Sequence, residues 1–306
     1  MAGVGLLFSG QGAQYPGMGK SLYETSTAAR EVLDRLQIHR RDLLELCFDG
    51  SAADLAKTEN TQPAVYAVDL AAAFALEEAG LRADAVAGFS LGELAALAYA
   101  GYVTPEQGFD LVQMRSAFMA QAASERPGTM LAVLRMTNDE VEALCEGREL
   151  YPANYNCPGQ LVVSGTVSEI EYLKEKVREA GGRSVPVAVS GGFHSPLMAD
   201  AARSMEEALE SIDFRTPRMP LYSNVTGERY GEDAARLLRD QIDHPVRWEA
   251  LIHNMVRQGI DGFAEAGPGR TLGGFSVRIA PGIPVYSVDS AESLEKWKEG
   301  QTHVER

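Results

Sequence analysis

A chain of 306 residues, 45% hydrophobic and 23% charged, has the composition of a globular enzyme and the length of one large domain or of a core carrying an insertion. A formal net charge of −15 argues against nucleic acid as a partner. There is no long apolar run, no basic-then-apolar leader in residues 1–30, and no C-x-x-C among the scattered Cys47, Cys145 and Cys157, so a cytoplasmic protein without membrane span, secretion signal or structural zinc is expected.

Strand-like and helix-like segments alternate, the pattern of an α/β layer architecture. Residues 3–8 read as a buried strand ending in Ser9-Gly10-Gln11-Gly12-Ala13-Gln14. A helix is predicted over 62–78, entered beside Pro63 and stopped at Gly80. Ala85-Val86-Ala87 is a short apolar strand, and Glu93 to Ala100 is a helix-forming run stopped at Gly101. Thr104 is the predicted N-cap of the next helix, with Pro105 at its first position and Gln107 completing a capping box.

The middle of the chain changes rhythm. Strand 129–135, helix 138–145, strands 150–154 and 160–164, helix 168–180 and strand 184–189 give the order β-α-β-β-α-β, the ferredoxin-like split pattern. This reads as a small domain inserted into a larger one. The remainder returns to α/β units: strand 221–224, helices 233–239 and 248–257, and strands 262–265 and 285–288. The charged residues from 293 onward read as a surface helix or tail.

Gly88-Phe89-Ser90-Leu91-Gly92 falls between a predicted strand and a predicted helix. G-x-S-x-G at such a junction is the arrangement of a nucleophile elbow: glycines allow a sharp turn and the serine meets outward N–H groups at a helix N-terminus. By itself the pentapeptide is equally compatible with a glycine-rich turn bearing a solvated serine. A serine hydroxyl needs a base to take its proton. Among the histidines, His39 and His303 lie among charged residues and read as surface, His253 sits within a helix, and His244 precedes Pro245 in a loop. His194, in Ser190-Gly191-Gly192-Phe193-His194-Ser195-Pro196, directly follows the last strand of the insert, at a seam where clefts form. It is the candidate base, against the plainer reading of a loop histidine hydrogen-bonded for structure.

Arg115 is the second signal, sharing one helix face with Leu111, Phe118 and Met119. An arginine in an apolar stripe snorkels, pairs with a carboxylate of the protein, or receives the carboxylate of a ligand, and spacing leaves all three open. In the third case guanidinium geometry favours bidentate capture. Gly10-Gln11-Gly12 offers a backbone N–H as a second oxyanion donor beside the Leu91 N–H. Gly267-Pro268-Gly269-Arg270-Thr271-Leu272 lacks phosphate-loop spacing and reads as a tight turn, and neither a metal-ligand cluster nor a nicotinamide fingerprint is evident.

Together these segments resemble the malonyl-CoA:acyl carrier protein transacylases of fatty acid synthesis and the related acyltransferase domains of polyketide synthases. The resemblance covers nearly the whole chain. It runs through Phe8 to Gln14, the elbow around Ser90, Arg115 beyond it, Asn154-Tyr155-Asn156-Cys157-Pro158-Gly159-Gln160, Phe193-His194, Tyr222-Ser223-Asn224-Val225, Pro245-Val246-Arg247-Trp248 and Gly267-Pro268-Gly269. It implies an α/β-hydrolase-like core (1–126 and 194–306) with a ferredoxin-like insert (127–193). It also implies Ser90 as the acylated nucleophile, His194 as its base, and the N–H groups of Gln11 and Leu91 as oxyanion donors. Arg115 would hold the free carboxylate of a malonyl group, the backbone carbonyl of Gln241 would orient the imidazole, and Met119, Asn156 and Phe193 would line the pocket. The implied donor is malonyl-CoA, the acceptor the phosphopantetheine thiol of an acyl carrier protein, and no metal or bound cofactor is called for.

Departures are few. Phe89 stands where histidine is common, Ser9 where proline is common, and Gly191 departs from both the malonyl and methylmalonyl patterns, while Phe193 fits the malonyl type. Three rival functions stay on the table: a polyketide acyltransferase using another carboxylated unit, a serine hydrolase, and a non-catalytic synthase component. An acidic carrier would need basic residues on this acidic protein, and Lys174, Lys176, Arg178, Arg183 and Arg203 are the candidates, unless they form an ordinary solvated face.

Overall fold

The apolar run after Gly3 forms β1 (Val4–Phe8) in the computed structural model, which describes residues 3–189 and 191–302. Helices α1 (Lys20–Thr25), α2 (Thr27–His39), α3 (Leu43–Asp49), α4 (Ala52–Leu55) and α5 (Thr58–Glu78) follow. Then come β2 (Ala85–Gly88), α6 (Gly92–Ala100) and α7 (Pro105–Glu125). The middle holds β3 (Thr129–Leu134), α8 (Asn138–Cys145), β4 (Leu150–Cys157), β5 (Gln160–Gly165), α9 (Val167–Glu179) and β6 (Arg183–Pro186). Beyond a tight turn at Pro196–Met198 lie α10 (Ala199–Leu209), β7 (Leu221–Tyr222), α11 (Ala234–Asp243), α12 (Trp248–Arg257), β8 (Gly262–Ala266), α13 (Thr271–Ile279), β9 (Val285–Val288) and α14 (Ala291–Thr302). Ser190 and His303 lie outside the described residues.

The elements divide between two compact units. The first takes the chain up to Gln113, Asp213–Tyr222, and the segment from Met255. Its sheet has the order β7-β2-β1-β8-β9 with every pair parallel. A parallel strand covered on both faces reads as a continuous apolar run, and Leu6, Leu7 and Phe8 of central β1 are fully buried. Helix α5 is buried along most of its length, as its Ala- and Val-rich sequence allows. It begins at Thr58, ahead of the predicted start at 62, so Pro63 sits in its second turn. Proline there deprives the Glu59 carbonyl of its intrahelical N–H. Arg40 supplies the donor instead, Nη1 to Glu59 O at 2.9 Å.

Helix α7 opens as expected: Thr104 N donates to Gln107 Oε1 at 3.0 Å, and Gln107 N to Thr104 Oγ1 at 3.2 Å. Helices α1 to α4, α10 and α13 were not predicted. Two of them carried a readable signal, since Ser26 caps α2 through Ala29 N and Ser51 caps α4 through Asp54 N.

The second unit comprises Met114–Ile212 and Ser223–Asn254. Its sheet has the order β4-β5-β3-β6, antiparallel throughout. Leu131, Val133, Leu161 and Val163 from the strands close a core with Val141 of α8 and Ile170, Leu173 and Val177 of α9. Strand β4 runs to Cys157, beyond the predicted 154, because it forms a hairpin with β5: Cys157 pairs with Gln160 across Pro158-Gly159, and Gly159 takes φ 73°. Strand β6 stops at Pro186 rather than 189: Val187 N still donates to Met130 O at 3.0 Å, after which Val189 N turns back onto Val187 O at 2.9 Å and the chain leaves the sheet.

Candidate active site

Ser90 sits at the carboxyl end of β2, one residue before Leu91, the N-cap of α6. Its φ of 55° is left-handed, an uncommon conformation for a residue with a side chain. The flanking glycines are demanded by packing. A Cβ on Gly88 would lie 1.9 Å from Gly92 C, and one on Gly92 would lie 2.3 Å from Ser9 O and 2.4 Å from Phe8 O. The elbow is thus pressed against the end of β1. Gly10 closes the other side, where an added Cβ would lie 2.8 Å from Phe89 O. These contacts bring the Gly10-Gln11-Gly12 loop beside the elbow within one unit. Gln11 is half-buried, and its Nε2 donates to Thr58 Oγ1 at 3.4 Å. The N–H groups of Gly92, Glu93 and Leu94 donate backward to Phe89 O, Ser90 O and Leu91 O at 3.0, 3.1 and 3.0 Å, a tight first turn that sets the positive end of the α6 dipole at the elbow.

His194, in the second unit, also has a left-handed backbone, φ 57°, and is 3% exposed. Its Nδ1 lies 2.7 Å from Gln241 O. A carbonyl only accepts, so Nδ1 carries the proton and Nε2 keeps a lone pair for use as a base. Gln241 occupies the last turn of α11, where the intrahelical donor to its carbonyl would be the N–H of residue 245. That residue is Pro245, which has none. The proline thereby reserves the carbonyl for the histidine. Burial, and secondarily the Arg115 cation, brings the His194 pKa down to about 4, with backbone hydrogen bonding at Gln241 and His244 acting in the opposite sense. The imidazole is therefore neutral, with Nε2 unprotonated, throughout the physiological range.

Arg115 lies on α7 at 1% exposure, which removes the snorkelling alternative. Its Nη2 donates to Gln241 Oε1 at 2.7 Å. Gln241 thus touches both Arg115 and His194, a link across 126 residues for Arg115 that no sequence spacing announces. Met119, one turn beyond Arg115, is 1% exposed, Phe193 5%, and Asn156 on β4 5%. Among the described residues, Asn156 Oδ1 has no hydrogen-bond partner, an acceptor buried at a cost unless a ligand or water meets it. Gly191 and Gly192 permit the tight path into His194, since Cβ atoms there would lie 2.7 Å from the Phe193 ring and 2.5 Å from Leu197 Cδ1.

The other histidines take ordinary places: His39 pairs with Asp110 at 2.9 Å and His244 with Asp243 at 2.7 Å, both on the surface. Three of the basic docking candidates are engaged by acidic neighbours, Lys174 with Glu171, Lys176 with Glu179 and Arg203 with Asp200. Arg178 and Arg183 are exposed. Gly267 and Gly269 turn with φ 115° and 83° and lead into α13, whose first N–H groups at Leu272 and Gly273 donate to buried Glu265, both at 2.9 Å. A protein carboxylate occupies that helix start, in line with a structural turn. Among the described residues, no cluster of three His, Cys, Asp or Glu could hold a metal ion, and no helix is long and apolar enough to cross a membrane.

The family model described as acyl transferase domain matches residues 6–304. The malonyl CoA-acyl carrier protein transacylase of Bacillus subtilis (strain 168) is 36% identical over 96% of both chains. The crystal structure of the Clostridium perfringens transacylase of the same name superposes with a TM-score of 0.95 at 38% identity, covering 99% of this chain and 98% of that one. A malonyl-transacylase in complex with a type II polyketide acyl-carrier protein superposes at 0.92 with 31% identity, covering 97% of this chain and 99% of that one. The chain belongs to the acyl transferase domain family, and within it to the malonyl-CoA:acyl carrier protein transacylases.

Proposed function

We propose that the protein transfers a malonyl group from malonyl-CoA to the phosphopantetheine thiol of an acyl carrier protein through a malonyl-Ser90 ester. His194 Nε2 takes the Ser90 proton as Oγ bonds to the thioester carbon, and the oxyanion is met by the N–H groups of Gln11 and Leu91. The carbon–sulfur bond breaks and the imidazolium protonates the departing CoA thiol. In the second half-reaction the carrier thiol gives its proton to His194, its sulfur attacks the ester carbon, and Ser90 leaves with that proton. A thioester is consumed and a thioester formed, so the transfer is reversible.

The observation that carries this reading is the fully buried Arg115 guanidinium, held by the residue that also holds His194. A buried cation beside the candidate base suits an acyl group ending in a carboxylate. It is out of place for a neutral ester or lipid chain. Met119, Phe193 and Asn156 are read as pocket lining. The strand order β4-β5-β3-β6 and the core it closes within 127–193 support a ferredoxin-like insert, and the parallel sheet of the first unit supports a hydrolase-like core formed by 1–126 and 194–306. Free, buried Cys47, Cys145 and Cys157 support a reducing, cytoplasmic setting.

Intact-mass analysis after mixing with malonyl-CoA tests the proposal. The expected result is the gain of one malonyl group, absent in Ser90→Ala and passed to holo carrier protein when that is added. Release of free malonate with no malonyl-carrier product would make the protein a hydrolase instead.

A further inference from the structure

Gln241 is fully buried and bonds in two directions. Its backbone carbonyl accepts from His194 Nδ1 at 2.7 Å, and its side-chain Oε1 accepts from Arg115 Nη2 at 2.7 Å. The first bond comes from the main chain and is available to any residue at this place, because Pro245 leaves the carbonyl without a helical donor. The second depends on the side chain. A glutamine-length side chain starting from this turn of α11 carries its acceptor to that guanidinium edge.

The chemistry of the acceptor matters as much as its reach. A guanidinium offers five N–H donors in a rigid planar fork, so one short bond at Nη2 sets the plane in which the remaining donors lie. A carboxylate here would give the same orientation but would neutralise the charge. An amide oxygen orients without neutralising. Gln241 thus aims the cation without adding a negative charge of its own.

We propose that the Gln241 side chain is a specificity-determining positioning residue: it fixes the Arg115 guanidinium for a carboxylate-bearing acyl group, while its backbone carbonyl separately orients His194. This rests on the assignment of Arg115 to the acyl carboxylate. One residue thereby couples selection of the acyl group to the placement of the base, and the two contributions are separable because one is side chain and the other main chain. Leu238 and Ile242, both buried on the same helix, anchor the turn whatever residue stands at 241.

The test compares malonyl-CoA with acetyl-CoA in the wild type, Gln241→Leu and Gln241→Glu, measuring kcat and KM for acyl-enzyme formation and the fold by circular dichroism. In Gln241→Leu the malonyl-to-acetyl ratio of kcat/KM falls about tenfold or more, mainly through KM for malonyl-CoA, as expected for a lost hydrogen bond to a charged group. Gln241→Glu keeps shape and length, and it lowers the ratio as well because its carboxylate competes with the substrate for Arg115. A folded variant whose ratio stays within about twofold of wild type overturns the proposal, as does a parallel loss with both thioesters, which would mark Gln241 as serving only His194. Wild-type protein that fails to acquire malonyl at all would instead overturn the transferase reading, so the two failures are distinguishable.

Discussion

Ser90 and His194 hold left-handed backbone at φ 55° and 57°, a conformation costing on the order of 1–2 kcal/mol for residues with a Cβ. Tight packing around Gly88, Gly92, Gly191 and Gly192 keeps them there. At the elbow, Ser90→Gly is expected to leave the melting temperature unchanged or raised while abolishing malonyl-enzyme formation; a marked loss of stability would contradict the strain argument. The depressed pKa of His194 makes a second prediction. Since the imidazole is neutral above about pH 4, acylation by malonyl-CoA should be nearly flat from pH 5.5 to 8 rather than falling through the ordinary histidine value of 6.5. Arg115→Ala removes a nearby cation, so the histidine pKa rises and residual activity should begin to drop at higher pH than in the wild type. The same variant should lower malonyl transfer relative to acetyl transfer by roughly tenfold to a hundredfold, the value of an aimed charged hydrogen bond.

At the scale of elements, the ends of helices and strands decide what each side chain can reach. Helix α11 ends so that Pro245 frees the Gln241 carbonyl. Pro245→Ala would restore an N–H able to compete for that carbonyl, and a several-fold drop in acyl-enzyme formation is expected, with malonyl-to-acetyl preference kept because the Gln241 side chain is untouched. Helix α5 presents a different case. Asp69 lies fully buried at its centre, beside Ser9 and the Gly267 turn. Burial holds its pKa well above the usual carboxylate value, a shift opposed by Ser9 and reinforced by Glu265. An acid whose folded pKa is raised stabilises the fold below its unfolded pKa and loses that contribution as pH rises towards the folded value. Asp69→Asn should therefore raise the melting temperature at pH 8, with the gain shrinking towards pH 4. Thermal melts across that range decide it, and a gain largest at pH 4 would show the sign to be wrong.

Over the whole molecule, a net charge of −15 meets an acidic carrier protein unfavourably unless local cations intervene. Lys174, Lys176 and Arg203 are tied to their own acidic neighbours, which leaves Arg178 and Arg183 as the better candidates of the original five. Charge reversal of both, Arg178→Glu with Arg183→Glu, should raise KM for the carrier several-fold while malonyl-Ser90 formation from malonyl-CoA is unchanged. An unaltered carrier KM would move the docking surface elsewhere.

Much of this molecule was readable in the chain because its signals are local. The elbow glycines, the Thr104 and Gln107 cap and the β-α-β-β-α-β rhythm each depend on neighbours within a few residues, where backbone sterics and hydrogen bonding act directly. Ser90, His194 and Arg115 were singled out by their settings. What those settings left open was partnership. Whether Arg115 reached solvent, a carboxylate or something else depended on burial, and its bond to Gln241 joins residues far apart in sequence. The early start of α5 around Pro63 likewise needed Arg40, a residue from another helix, to satisfy Glu59. Sequence alone determined the α/β class, the strand-to-helix serine and the candidate base, because these follow from local geometry and composition. Only the tertiary structure decided that one glutamine holds both the arginine and the histidine, because a hydrogen bond between distant segments exists only once the chain has folded around it.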